Sequence, residues 1–257
     1  MYVFYIKQLK HLVIIPTYNE KENISQIVDA VLALPDMDVL VVDDNSPDGT
    51  GDIVEQIKSN KPPNRVHLIR RAGKLGLGTA YIAGFQYAIQ HRYDYISEMD
   101  ADFSHNPKDL IRLRQACIDG ADISIGSRYV KGGGIANWPA SRVFISRGGS
   151  LYVQILTFMP VKDPTAGFIC YKREVLEAIN LDKIGFTGYA FQIEMKYVAW
   201  KLGYKITEVP ITFKDRELGV SKMSGGIIKE AVVGVLKLVY RNIPRYYGHQ
   251  ELSTANS

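Results

Sequence analysis

Two acidic residues, Asp100 and Asp102, follow a short apolar run that begins at Tyr95. Residues two apart along a strand point to the same side, so the two carboxylates can converge, and the small Ala101 leaves room for a ligand. Carboxylate oxygens suit a hard cation such as Mg2+ or Mn2+, which can in turn hold a diphosphate. The same tripeptide also occurs in solvated acidic turns. The spacing therefore indicates either a metal site or an ordinary acidic turn.

Polar residues follow two earlier apolar runs as well. Tyr18 and Glu20 come after the run 11–17, and Asp44 follows the run 39–42. The two carboxylates can accept hydrogen bonds from a ribose or a base, and Tyr18 can pack on a ring. Taken alone, residues 18–20 are equally typical of a helix-capping turn, and Asp44 of a solvated turn.

Four of the cationic residues in the second half of the chain are candidates for binding phosphate: Arg128, Arg142, Arg216 and Lys222. Guanidinium groups suit phosphate because their forked donors match its oxygens. Each residue alone is typical of a surface charge. Together with an acidic metal site, the four suggest two anionic ligands, a diphosphate donor and a phosphate acceptor.

The first half of the chain has a pattern that would bring these side chains together. Apolar runs of strand type at 11–17, 39–42, 66–69, 95–98 and 121–126 alternate with helical periodicity at 22–35, 51–58, 79–91 and 107–117. This alternation predicts an α/β fold with a doubly wound, mostly parallel sheet. Because the carboxyl ends of parallel strands meet at one edge, we expect the acidic residues to share one crevice.

The second half is less regular. We predict a glycine-rich loop at 131–140, a helix at 142–159, a strand at 168–171, a helix at 189–202 and an alternating strand at 205–213. Residues 214–226 form a polar loop that can act as a lid. The predicted core face of helix 142–159 consists of Val143, Phe144, Leu151, Ile155 and Leu156.

The last predicted helix, 226–242, has an apolar body interrupted by Lys229, Glu230 and Lys237. These charges argue against a membrane span, and we expect no transmembrane segment in the chain. An apolar body with a cationic and aromatic rim is typical of an interfacial helix. A helix packed in the core, or one that binds a partner, fits the same pattern.

Composition excludes several functions. The chain has 257 residues, 46% of them hydrophobic, and a formal net charge of +4. This mild charge, without a basic stripe interleaved with aromatics, argues against a nucleic-acid partner. The glycines at 73–78 lack the spacing of a dinucleotide or P-loop motif. Two distant cysteines, Cys117 and Cys170, are typical of a protein in a reducing cytosol.

Six stretches occur in an order that resembles one family: residues 16–20 (Pro-Thr-Tyr-Asn-Glu), 43–50 (Asp-Asp-Asn-Ser-Pro-Asp-Gly-Thr), 100–102 (Asp-Ala-Asp), 126–129 (Gly-Ser-Arg-Tyr), 163–168 (Asp-Pro-Thr-Ala-Gly-Phe) and 216–223 (Arg-Glu-Leu-Gly-Val-Ser-Lys-Met). Together they resemble the dolichol-phosphate mannose synthases, which are inverting family 2 glycosyltransferases of the GT-A fold. The resemblance covers roughly residues 11–245.

The resemblance implies three sets of site residues. Those for the donor GDP-mannose are Pro16, Tyr18, Glu20, Val42, Asp44, Asp100, Ala101, Asp102, Arg128, Arg216 and Lys222. Those for the acceptor phosphate are Arg128, Arg142 and Ser146, and those for Mg2+ or Mn2+ are Asp100 and Asp102. The residues expected to act in the reaction are Asp100, Asp102, Arg128, Arg216 and Lys222. Some relatives have a glutamine as a third metal ligand, at the position of Ser104 here.

The resemblance also implies a reaction, the inverting transfer of mannose from GDP-mannose to a polyprenyl (dolichyl-type) monophosphate. Residues 11–245 would form the catalytic domain, with an extension at 1–10 and a tail at 246–257. The chain would be peripheral on the cytoplasmic face of a membrane, with a small membrane protein as a further partner. Two alternatives stay open: a polyprenyl-phosphate transferase that uses UDP-glucose or another sugar nucleotide, and a non-catalytic nucleotide-binding subunit of a membrane glycosylation complex.

Overall fold

The structure, a computed structural model, describes residues 9–188, 190–215, 234–241 and 243–248. The strands are β1 His11–Thr17, β2 Met37–Asp43, β3 Val66–Arg70, β4 Tyr95–Glu98, β5 Ile123–Ser127, β6 Gly134–Ala136, β7 Ile169–Lys172, β8 Ile206–Pro210 and β9 Thr212–Lys214. The helices are α1 Ile24–Leu32, α2 Thr50–Asn60, α3 Leu77–Gln90, α4 Asp109–Ile118, α5 Ala140–Thr157, α6 Arg173–Ala178, α7 Ala190–Lys201 and α8 Ile243–Tyr247. A 3-10 turn spans Leu181–Lys183, and residues 234–239 are helical.

Seven strands form the central sheet in the order β3-β2-β1-β4-β7-β5-β8. β7 is antiparallel to both of its neighbours, and the other pairs are parallel. The prediction of a doubly wound, mostly parallel α/β sheet of GT-A type is confirmed. The chain moves from β1 to one side for β2 and β3 and to the other side for β4. This reversal opens a crevice at the carboxyl ends of β1 and β4.

Both faces of the sheet are buried, which explains the unbroken apolar run in β1. Leu12 and Ile14 pack in one hydrophobic core, and Val13 and Ile15 pack in the other. Neighbouring strand residues point to opposite faces, so a strand covered on both sides needs apolar residues throughout. The two cores fix the strand ends and therefore the positions of the polar residues that follow them.

Two predictions for the second half are wrong. Residues 131–140 were expected to be loop, but they contain β6, which pairs in parallel with β9 in a small second sheet. The predicted single strand 205–213 divides at Ile211, whose N–H donates to the Ser127 carbonyl while its carbonyl accepts from Gly134. The chain thus leaves the central sheet after Pro210 and enters the small one.

The predicted core face of α5 is also wrong. Phe144, Leu151 and Ile155 are exposed, and the buried residues of this helix are Ser150, Val153 and Thr157. Residues 226–233 of the last predicted helix lie outside the described residues. Within 234–241, Val235 and Leu238 are buried, whereas Tyr240 is exposed. In the described part of the chain, we find no helix with the length and apolarity needed to cross a membrane.

Candidate active site

The donor-side residues lie together at the carboxyl edge of β2, β1 and β4. Pro16 is opposite Val42 in the strand register, and the Asp44 N–H donates to the Thr17 carbonyl at 3.0 Å. The Met99 N–H donates to the Ile14 carbonyl at 3.1 Å, so the chain enters the Asp-Ala-Asp stretch beside the end of β1. The structure therefore brings together residues predicted from three separate segments: Pro16, Tyr18, Glu20, Val42, Asp44, Asp100, Ala101 and Asp102.

Asp44 is not part of a solvated turn. Its Oδ1 accepts a hydrogen bond from Arg71 Nε at 2.5 Å, and both side chains are only 9% exposed. Arg71 is fixed in turn by Thr79 Oγ1 at 2.6 Å and by the Gly76 carbonyl at 3.2 Å. The sequence analysis missed Arg71, although it stands directly after β3 at the same sheet edge as the acidic residues.

The segment from Tyr18 to Glu20 forms the capping turn that one of its two interpretations predicts. The Glu20 carbonyl accepts the N–H groups of Asn23 and Ile24, which starts α1, as a capping turn would. Tyr18 keeps a half-buried ring, and Lys74 Nζ lies 4.8 Å from the centre of that ring. A cation over an aromatic face at this edge is compatible with a pocket for an anionic ligand that carries a ring.

Asp100 and Asp102 leave β4 in different environments. Asp102 is buried and accepts the Ser104 N–H at 3.1 Å, whereas the Asp100 side chain is 44% exposed. The described residues contain no cluster of three His, Cys, Asp or Glu side chains that could hold a metal ion. Two hard carboxylates fit Mg2+ or Mn2+ provided that a diphosphate and water supply the remaining ligands, as is usual for these ions.

An aromatic cluster connects this acidic loop to the cationic residues. His105 stacks on Phe168 at 4.7 Å between ring centres and meets Phe213 edge-on at 5.3 Å. Phe213 packs in turn against Trp138 at 5.4 Å, and the Arg128 guanidinium carbon lies 5.6 Å from the Phe213 ring centre. Burial lowers the pKa of His105 to about 4, so this imidazole is neutral at pH 7. The cluster therefore joins the two halves of the site without adding charge.

Arg128 is held by Asp163 in a bidentate ion pair. Arg128 Nε donates to Asp163 Oδ2 at 2.7 Å, and Nη2 donates to Oδ1 at 2.6 Å and to Thr165 Oγ1 at 2.9 Å. The Asp163 side chain is fully buried and that of Arg128 is 10% exposed. Burial acts to lower the pKa of Arg128, but the hydrogen bonds and charge of Asp163 raise it. The guanidinium is thus a charged, rigidly oriented group.

A buried lysine supports the turn that carries Asp163. Lys196 Nζ donates to the carbonyl oxygens of Pro164 at 3.1 Å, Ala166 at 2.6 Å and Gln192 at 3.0 Å. Burial lowers the pKa of Lys196 to about 7, against the opposing charge of Glu98. The sequence analysis did not identify Lys196, because lysine is usually exposed, whereas α7 buries charged side chains as well as apolar ones.

Two of the three predicted acceptor residues, Arg142 and Ser146, lie on α5, whereas Arg128 follows β5. Arg142 Nη1 donates to both carboxylate oxygens of Asp215 at 3.0 Å, and its guanidinium lies 3.8 Å from the centre of the Trp138 ring. Ser146 Oγ accepts a hydrogen bond from the Tyr129 hydroxyl at 2.7 Å. Trp138 thus connects Arg142 to the cluster that contains Arg128. Arg216 and Lys222 lie outside the described residues.

The chain is similar to proteins of known activity. It is 49% identical to the polyprenol monophosphomannose synthase of Mycolicibacterium smegmatis, over 87% of this chain and 84% of that protein. It is 50% identical to the undecaprenyl-phosphate mannosyltransferase of Micrococcus luteus, over 89% of this chain and 93% of that protein. A mannosyltransferase of Pyrobaculum calidifontis, solved with GDP-Man and Mn2+, shares the fold with a TM-score of 0.55 and 16% identity, covering 92% of this chain and 71% of that one.

The family comparison covers most of the sheet and the acidic edge. The sequence model described as glycosyl transferase family 2 matches residues 12–179. That range contains β1 from its second residue, β2 to β7, the Asp-Ala-Asp stretch and the Arg128–Asp163 pair. The resemblance noted from the sequence motifs agrees with this match and with the two relatives of 49% and 50% identity. The chain belongs to glycosyl transferase family 2.

Proposed function

We propose that this chain transfers mannose from GDP-mannose to a polyprenyl monophosphate, with inversion at the anomeric carbon, giving a β-mannosyl phosphate and GDP. The observation that carries the proposal is the 49% and 50% identity, over 87% and 89% of this chain, with two enzymes whose names state that they join mannose to a polyprenyl phosphate. The site geometry is compatible with it, because an aromatic cluster joins the acidic edge at the ends of β1, β2 and β4 to Arg128.

Asp100 and Asp102 would hold the divalent cation, Mg2+ or Mn2+. Such an ion stabilises the charge that develops on the leaving diphosphate. Tyr18, Glu20 and Asp44 would bind the nucleoside, with Pro16 and Val42 forming the floor of the pocket. Arg71 would keep the Asp44 carboxylate in place. Arg216 and Lys222 are proposed to contact the donor phosphates, as the resemblance implies.

The acceptor phosphate needs no protein base to become a nucleophile. The second pKa of a phosphate monoester is near 6, so the group is mostly dianionic at pH 7. The protein would instead orient two anions that repel each other. Arg128, Arg142 and Ser146 are the proposed acceptor contacts. The bidentate ion pair with Asp163 would fix the direction in which Arg128 presents its remaining N–H donors.

We further propose that the chain works as a peripheral protein at the cytoplasmic face of a membrane, because its acceptor is a membrane lipid. A small membrane protein is proposed as a partner that helps to present this lipid.

The test is transfer of radiolabel from GDP-mannose or UDP-glucose to a short polyprenyl phosphate in detergent, with Mg2+, Mn2+ or EDTA. We expect lipid-phase label from GDP-mannose that depends on the metal. Label from UDP-glucose alone would change the donor and contradict the proposal. Binding of GDP without turnover, even after addition of membranes, would favour a non-catalytic subunit.

A further inference from the structure

His105 is a buried side chain of the acidic loop to which the proposed function assigns no role. Its side chain is 4% exposed, and its Nδ1 has no hydrogen-bond partner among the described residues. A buried polar atom without a partner costs free energy, so it is rarely kept without a reason. The same Nδ1 lies 3.9 Å from Oδ2 of Asp100, one of the two proposed metal ligands.

Aromatic contacts fix the direction in which this Nδ1 points. The His105 ring stacks on Phe168 with 13° between the ring planes, and it meets Phe213 edge-on at 76°. Phe168 is fully buried, and Phe213 packs in turn on Trp138. The imidazole cannot turn without losing these contacts. Asp100, whose side chain is 44% exposed, is therefore the member of the pair that has room to move.

The turn between these two residues has a strained backbone. Phe103 has a φ of +57°, a left-handed conformation that is uncommon for a large side chain. The Ser104 N–H closes the turn by donating to Asp102 Oδ1 at 3.1 Å. Strain of this kind persists where the surrounding structure enforces it, and it is concentrated at functional sites. Here it accompanies the return of His105 to Asp100.

The contact between His105 and Asp100 is one hydrogen bond short of complete. Nδ1 attracts a carboxylate only when it carries the proton, because its lone pair would be repelled. A hydrogen bond from N–H to a carboxylate is about 2.7–2.9 Å long, so Asp100 would need to move by about 1 Å. Carboxylates that ligate a metal usually have such a further hydrogen bond, which fixes their orientation.

We propose that His105 is a positioning residue for Asp100, donating its Nδ1–H to that carboxylate when a divalent cation is bound. The inference rests on the proposed function, in which Asp100 and Asp102 hold Mg2+ or Mn2+. One oxygen of Asp100 would accept from His105 while the other faces the cation. His105 would thus act through Asp100 and would not itself be a metal ligand.

The test is the affinity of the full chain for Mn2+ in the presence of GDP, measured from the electron paramagnetic resonance of free Mn2+. His105→Phe keeps a ring but removes the donor, and we expect it to raise the Kd for Mn2+ by at least about tenfold. His105→Asn should stay within about threefold of the wild type, because its amide N–H can take the place of Nδ1–H. The matched control is His11→Phe, at another buried histidine whose Nδ1 lacks a partner among the described residues. His11 begins β1, away from the carboxyl edge, so this control should leave the Kd unchanged.

The outcomes separate this inference from the proposed function. A wild-type Kd in His105→Phe, or a Kd that His105→Asn fails to restore, would overturn the inference. Modulation of the Mn2+ spin echo by a directly bound nitrogen, lost in His105→Phe, would also overturn it, because His105 would then be a ligand. If circular dichroism shows that His105→Phe is unfolded, His105→Gln should show the same rise in Kd, since its amide reproduces Nε2 and not Nδ1. A wild type that binds no Mn2+ with GDP would instead refute the metal site of the proposed function.

Discussion

Asp163→Asn is the substitution whose effect follows most directly from the structure. Asp163 is fully buried and accepts three hydrogen bonds from Arg128, at 3.0, 2.7 and 2.6 Å. Asparagine keeps the shape but removes the charge and turns an NH2 group towards at least one of these donors. Removing one partner of a buried ion pair costs about 3–5 kcal/mol, because the other charge is left buried without compensation. We expect a loss of this size in the free energy of unfolding.

Urea unfolding of the wild type and variant at pH 7 measures this loss, and a thermal midpoint lower by about 10 °C should accompany it. The matched control is Asp52→Asn, since Asp52 pairs with Arg70 at 2.7 Å on the surface. That pair should contribute less than about 1 kcal/mol. A double variant that adds Arg128→Met should recover part of the stability lost in Asp163→Asn. Equal effects of Asp163→Asn and Asp52→Asn would refute the reasoning.

Two further predictions concern stability. Burial lowers the pKa of His11 to about 3, so the unfolded chain takes up a proton below pH 6.5 that the folded chain does not. This group should therefore lower the free energy of unfolding by about 2 kcal/mol between pH 7 and pH 5. His11→Gln should reduce the slope of that free energy against pH, measured by urea unfolding, whereas the exposed control His91→Gln should leave the slope unchanged. Gly84→Ala should destabilise by about 1–3 kcal/mol in urea unfolding, because its methyl group would meet Ile14 at 2.7 Å. A methyl group added at Gly148 on α5 would have no atom within 4 Å, so Gly148→Ala should stabilise the protein by up to about 1 kcal/mol. A Gly84→Ala variant more stable than Gly148→Ala would contradict the packing between α3 and β1.

The first half of the fold was predictable because its signals are local. Each buried strand is a continuous apolar run, and each helix has its own periodicity, so β1 to β5 could be placed before their pairing was known. The carboxyl-edge site followed from topology alone, since parallel strands end at a common edge. The short strand β6 carries no such signal, and β9 was predicted only as the end of a longer strand, because the pairing of these two strands across a long separation in sequence is not visible locally.

The orientation of α5 shows a different limit of sequence reasoning. Periodicity identified an apolar side of the helix but could not tell whether that side faces the core or the surroundings. Ser150 and Thr157 would have been the clue, since small polar residues opposite an apolar row permit close packing. The partners of Asp44 and Arg128 were hidden for another reason. Arg71 and Asp163 are 27 and 35 residues away in sequence, so only the fold brings each pair together.

The most direct test of the central claim is the initial rate of mannose transfer from GDP-mannose by Asp102→Asn and by the wild type, with Mg2+ or Mn2+. If Asp100 and Asp102 hold the ion that stabilises the leaving diphosphate, the variant should lose at least about 100-fold in rate. Its circular dichroism and urea midpoint should show that it remains folded. A folded Asp102→Asn variant with a near-normal rate would contradict the account of this site.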